Sequence, residues 1–135
     1  MVRLAEASFA LLMINMKDFL HILRVDGQRI SFTDDVPDGR DVTDLITDMR
    51  NAICHIGSAD RHFAPGSTLS FGRMSGQGIL VKMGDLELGN PYQDDVAFFY
   101  GKHRVFLKRH AHRATQEANA LIGAKFYSEG WPMPF

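Results

Sequence analysis

The sequence predicts an α+β domain in the order helix, helix, small antiparallel sheet, helix. Two observations carry this. Apolar residues recur at helical spacing in the first 56 positions and again after residue 110. Between these stretches the pattern shortens to runs punctuated by glycine. At 135 residues the chain is the length of one ordinary domain. Its apolar fraction of 45% and charged fraction of 23% are those of a globular protein, which excludes wholesale disorder, collagen and coiled-coil classes.

Leu4 to Val25 reads as a long helix without Gly or Pro. Leu4, Ala7, Leu11, Leu12, Phe19, Leu20 and Leu23 mark one face. Phe9, Met13, Ile14, Met16 and Ile22 add apolar groups elsewhere, so the helix is either central or at a subunit interface. Gly27 ends it. Asp34, Asp35, Pro37, Asp38 and Gly39 then break the chain into a loop. Asp41 is the expected N-cap of a helix over 41–56, with Val42, Leu45, Ile46, Met49, Ile53 and Ile56 as its apolar row and Gly57 as its stop. Short strands follow at Thr68 to Phe71, Ile79 to Met83 and Leu86 to Leu88. Val96 to Tyr100 and Arg104 to Leu107 flank a hairpin turn. His110 to Ile122 is the last expected helix, closed by Gly123. A single domain over 1–127 and a tail over 128–135 are the resulting boundaries.

The net charge of −1 excludes a uniformly basic nucleic-acid coat, though not a local basic face. The single cysteine, Cys54, excludes an internal disulfide and a thiolate zinc cluster and suits a reducing cytoplasm. The longest apolar stretch, Phe9 to Ile14, is far short of a membrane span, and no signal-peptide pattern precedes it. His110 and His112 make half a metal site without acidic or thiol partners nearby. Neither a metal nor a cofactor is expected. The glycines at 72, 76 and 78 lack the remainder of a nucleotide-binding loop and read as turns.

Arg50-Asn51-Ala52-Ile53-Cys54-His55 is the sharpest candidate for chemistry. An arginine followed directly by a polar residue, with histidine five positions on, resembles the R-x4-6-H motif of the HEPN superfamily. The resemblance implies a compact helical core, here the helices over 4–25, 41–56 and 110–122. It also implies a homodimer and a metal-independent endoribonuclease in a toxin or defence role, with an antitoxin protein as a possible partner. Arg50, Asn51 and His55 would then be its catalytic residues. The chemistry suits them. A 2′-hydroxyl can attack the adjacent phosphorus of RNA if a group titrating near neutrality takes its proton and a guanidinium meets the developing charge. On one straight helix Arg50 and His55 stand about 140° apart. Either two copies supply them jointly across a dimer axis, or the helix deforms near Gly57. The plain alternative is a surface arginine paired with Asp44 or Asp48, and a histidine serving the helix dipole.

Lys102, His103, Arg104, Lys108, His110, His112, Arg109 and Arg113 form a basic segment without an acid between them. Lys102, His103, Arg104, Lys108, Arg109 and Arg113 are candidate RNA-binding residues, with Phe98, Phe99, Tyr100 and Phe106 nearby for stacking. The alternative is a wetted strand end and helix face beside core aromatics. Three functions follow: the ribonuclease, a catalytically silent RNA-binding or protein-interaction module on the same helices, and an α+β fold in which each feature is structural.

Overall fold

The helices form where one apolar row meets a stop signal. The computed structural model describes residues 2–55, 57 and 62–130. Helix α1 (Val2–Val25) buries Phe9, Met13, Met16, Leu20 and Leu23, one row at 3.6-residue spacing. Leu4, Leu11, Ile22 and Val25 stay exposed, so α1 is not a central helix. Gly27, at φ 79°, ends it, and the Gln28 N–H returns to the Leu23 carbonyl at 2.8 Å. This left-handed stop strains any residue with a side chain.

Helix α2 (Val42–Cys54) is capped by Asp41, whose carboxylate accepts the Asp44 N–H at 3.0 Å. Arg29 forks onto the same carboxylate at 2.6 and 2.9 Å. Burial pushes the Asp41 carboxyl up, but Arg29 and the backbone donors outweigh it and hold it below the usual carboxylate range. Val42, Leu45, Ile46, Met49 and Ala52 are buried against α1 and the sheet; Ile56 lies outside the described residues.

Among the described residues seven strands follow, all paired antiparallel. β1 (His62–Ala64) pairs with β2 (Ser67–Thr68), and β4 (Gly78–Met83) with β5 (Leu86–Asn90). β3 (Gly72–Ser75), β6 (Val96–Tyr100) and β7 (His103–Phe106) make a three-stranded sheet in the order β3-β6-β7. Its two faces are both covered. Phe98, Tyr100 and Val105 meet the helices, where Phe9 stacks on Phe98 at 4.3 Å. Ala97, Phe99 and Phe106 meet Leu80, Leu88 and Tyr92. The β4–β5 hairpin is tight at Gly89, where a Cβ would stand 2.3 Å from the Gly78 carbonyl oxygen.

The HEPN-like core of helices over 4–25, 41–56 and 110–122 with one small sheet is therefore corrected. The described residues form three helices split by three separate small sheets. The physical reason lies in β6 and β7. Their alternating side chains fill two cores at once, so Tyr100 and Val105 occupy space that a purely helical bundle would fill with a further helix. The last helix is also displaced. Leu107–His112 is a π-helical turn, and α3 runs from Arg113 to Ser128, through Gly123. Ile122 and Phe126 continue the helical spacing past that glycine, and Gly130, at φ 71°, follows the stop. Ser128 is thus helical rather than the start of the tail, and residues 131–135 lie outside the described set. No helix among the described residues is long and apolar enough to cross a membrane.

The π-helical turn is held from beneath. The Asp95 side chain is fully buried and accepts the backbone N–H groups of Val96, Lys108 and Arg109 at 2.8, 2.9 and 3.1 Å. His110, also fully buried, accepts the Phe106 N–H on Nδ1 at 3.1 Å and donates from Nε2 to the Asp34 carbonyl at 3.0 Å. Both bonds together require the neutral ring. Burial lowers the His110 pKa, with Arg104 acting the same way. The Asp34 carbonyl and the charges of Asp35 and Asp95 oppose this without reversing it.

A pH dependence follows. Below about pH 6.5 the unfolded chain protonates His110 while the folded chain resists. Stability therefore falls with pH from there, by at most about 1.4 kcal/mol per pH unit for this one group. Urea midpoints at pH 7.5 and 5.5 test it. His110→Gln, which keeps a donor and an acceptor but does not titrate, should flatten the difference. An equal difference in both proteins would assign the dependence to other groups.

Candidate functional site

The last turn of α2 places three polar side chains together. Arg50 and Asn51 are helical, but the helix stops at Cys54, and His55 leaves it as the C-cap at φ −110°, ψ 97°. Its N–H still bonds the Asn51 carbonyl at 3.0 Å. This exit closes the angular gap that a straight helix would impose. Arg50 Nη1 lies 3.4 Å from His55 Nε2 and 3.3 Å from Asn51 Oδ1. Of the two alternatives, deformation at the helix end is the one that brings Arg50 and His55 together, and it does so within one chain.

The guanidinium has donors only, so a hydrogen bond to His55 Nε2 uses a lone pair there. At 3.4 Å the contact is long for a hydrogen bond and easily replaced by a better acceptor. Arg50 Nε is buried and has no hydrogen-bond partner among the described residues. His55 and Cys54 are exposed. The site thus pairs a half-buried cation with a solvent-facing base. The acids weighed as alternative partners of Arg50 are engaged elsewhere. Asp44 meets Arg29 at 3.0 Å and Arg40 at 3.7 Å, and Asp48 meets Arg40.

The basic segment is dispersed by the fold. Arg104 Nη1 donates to the Gly89 carbonyl at 2.9 Å and lies over the Phe106 ring, and burial lowers its pKa. Arg109 meets Asp94 and Asp95 at 3.0 and 3.1 Å and stacks 3.6 Å from the Tyr92 ring centre. Arg113 meets Asp34 at 2.8 Å and Glu117 at 3.0 Å and covers Phe32. These three arginines bolt loop to sheet to helix. His103 is nearly buried, whereas Lys102 and Lys108 are exposed. Phe99, Tyr100 and Phe106 belong to the cores, and Phe98 stacks on Phe9 there, so none is presented for base stacking.

Sequence reasoning missed one polar cavity of about 220 Å³, enclosed by loop 31–40, α2 and the β6–β7 turn. Asp38, Arg40, Asp48 and Lys102 give it charges of both signs. Its only sequence signal is the Pro37-Asp38-Gly39 break, where Asp38 takes φ 63°. Among the described residues, no three of His, Cys, Asp and Glu gather as metal ligands.

No family model matches the chain, and no curated protein or solved structure matches it either.

Proposed function

We propose that the protein is a metal-independent endoribonuclease acting through Arg50, Asn51 and His55. The observation that carries this reading is the convergence of the three side chains at the end of α2, with Arg50 Nη1 within 3.4 Å of His55 Nε2. The reading takes the chemistry of the HEPN motif that Arg50-Asn51-x-x-x-His55 resembles, and not that family's helical fold. His55 Nε2 accepts the 2′-hydroxyl proton, and O2′ attacks the adjacent phosphorus. The bond to the 5′-oxygen breaks, that oxygen takes a proton from water, and the hydroxide so formed takes back the proton held by His55, leaving a 2′,3′-cyclic phosphate. Arg50 turns from His55 to the phosphoryl oxygens as their charge grows, a task suited to a fork of donors. Asn51 holds Arg50 from the side. Lys102 and Lys108, the exposed members of the basic segment, are the proposed backbone contacts for RNA. A toxin or defence role in the cytoplasm, with an antitoxin partner, belongs to the same reading and rests on the motif resemblance alone.

The test is incubation of the purified chain with mixed RNA in EDTA, followed by analysis of product ends. Cyclic phosphate ends support the reading, and intact RNA at high protein concentration overturns it.

A second reading, a catalytically silent interaction module, draws on α1. Leu4, Leu11, Ile22 and Val25 are 68%, 61%, 65% and 73% exposed, too much apolar area for an isolated helix face to gain from water. A homodimer through this row is proposed, and it serves either reading. Sedimentation at micromolar concentration should show dimer for the native chain and monomer for Leu11→Glu. A native monomer would remove the partner.

A further inference from the structure

The cavity beside α2 differs in chemistry from the apolar groove at the ends of α1 and α3. The groove between the ends of α1 and α3 is lined mainly by Phe19, Ile22, Leu23, Val25, Ile122 and Phe126 and has few polar groups to orient a ligand. The smaller cavity has both kinds of wall. Val36, Pro37 and Leu45 supply an apolar side, and Asp38, Arg40, Asp48 and Lys102 a charged one, with His103 between. Asp48 and Arg40 hold each other. Asp38 and Lys102 are exposed at the mouth, and no ion pair joins either to another described residue.

At about 220 Å³ the cavity is smaller than a drug-sized site and suits one flat ring system. Two carboxylates against two cations exclude a bare phosphate as its best ligand, because the acids repel it. A heteroaromatic base answers both signs. Guanine alone among the four RNA bases offers two adjacent donors, N1–H and the N2 amino group, which one carboxylate accepts together, beside O6 as an acceptor for a cation.

Position agrees with chemistry. Asp48 lines the cavity, and Asn51 is three residues on, on the same face of α2. The rise between them is about 4.5 Å along the helix axis. The cavity and the Arg50 site are thus both built on the C-terminal half of α2.

We propose that this cavity is a guanine-recognition pocket, with the Asp38 carboxylate accepting the N1 and N2 donors and Lys102 meeting O6, and that it sets where RNA is cut. The second half rests on the ribonuclease reading; binding of the base does not. Single-stranded RNA is commonly read in this way, by bases splayed into pockets and bonded along their pairing edges.

The experiment titrates the full chain with the 5′-monophosphates of guanosine, adenosine, cytidine and uridine, followed by NMR shifts, and maps cut sites on RNA of mixed sequence. Guanosine monophosphate should bind roughly tenfold to hundredfold more tightly than the other three. Asp38→Asn should erase most of that margin while leaving the fold intact, since Asn adopts positive φ as readily as Asp. Cuts should cluster beside guanosine in the native chain and spread in Asp38→Asn. Four nucleotides binding alike, or none binding, overturns the pocket even if RNA is cleaved by a His55-dependent route. Preferential guanosine monophosphate binding that Asp38→Asn abolishes, in a chain that cuts no RNA, supports the pocket and removes the ribonuclease reading instead.

Discussion

His55→Ala should lower RNA cleavage by roughly 100-fold or more, the usual size of a lost general acid or base. The imidazole is exposed and outside the helix, so its removal uncovers little apolar surface and leaves the fold standing. The contact of the imidazole with Arg50 Nη1, at 3.4 Å, is too long to hold the helix end. Arg50→Lys should be nearly as damaging. An ammonium is a point charge that cannot present the paired donors of a guanidinium to two phosphoryl oxygens. The discriminating measurement is cleavage in EDTA set beside the urea midpoint for each variant. Equal midpoints with lost cleavage mark His55 as chemical. A shifted midpoint, with no cleavage in the native chain, makes the cluster a helix terminus and nothing more.

Asp95→Ala should lose about 3–5 kcal/mol of stability, the cost of breaking a buried charged network on one side. The carboxylate is fully buried and accepts from three backbone N–H groups and from Arg109 Nη1. Removing it orphans those donors and frees Arg109 from one of its two acids. Burial pushes the Asp95 carboxyl up, but the backbone donors of Lys108, Arg109 and Val96 and the Arg109 side chain outweigh this and hold it below the usual carboxylate range. Its contribution is therefore complete above about pH 3.9 and is lost as pH falls through the lower, folded value. A urea titration of Asp95→Ala at neutral pH reads the loss directly. A change below about 1 kcal/mol would mean that water replaces the carboxylate at the π-helical turn, which its burial argues against.

Asp95 also explains why the basic segment could not be read correctly from the chain alone. Arg104, Arg109 and Arg113 stand among like charges in sequence and suggest an anion-binding face. Their partners come from far away: Asp34 is separated from Arg113 by 79 positions, and Asp95 from Arg109 by 14. Local charge density is visible in a sequence. Whether an arginine is already matched depends on which loop is folded over it. The same loop hides the polar cavity, because Asp38 and Lys102 become neighbours of one space only when loop 31–40 closes against the β6–β7 turn. Tyr92, His110 and Arg113, which bond Asp35 and Asp34, hold it closed.

Local physics determined the rest by itself. The apolar row of α2, the Asp41 cap, the Gly27 stop and the hairpin about Gly101 follow from spacing and from the conformations that Asp and Gly allow, so short-range pattern suffices for them. The sequence also brings Arg50, Asn51 and His55, the residues proposed to serve a phosphate ester, within six positions of one another. Tertiary structure alone decided how they meet. The sequence offers Gly57 as a stop, yet α2 ends three residues earlier, and that early end turns His55 back to Arg50. It also decided that the glycine-punctuated segment is core rather than appendage. Alternation in β6 and β7 places apolar groups on both faces, and whether both are buried depends on there being a helix on one side and a hairpin on the other. Periodicity states which residues share a face; only packing states what that face meets.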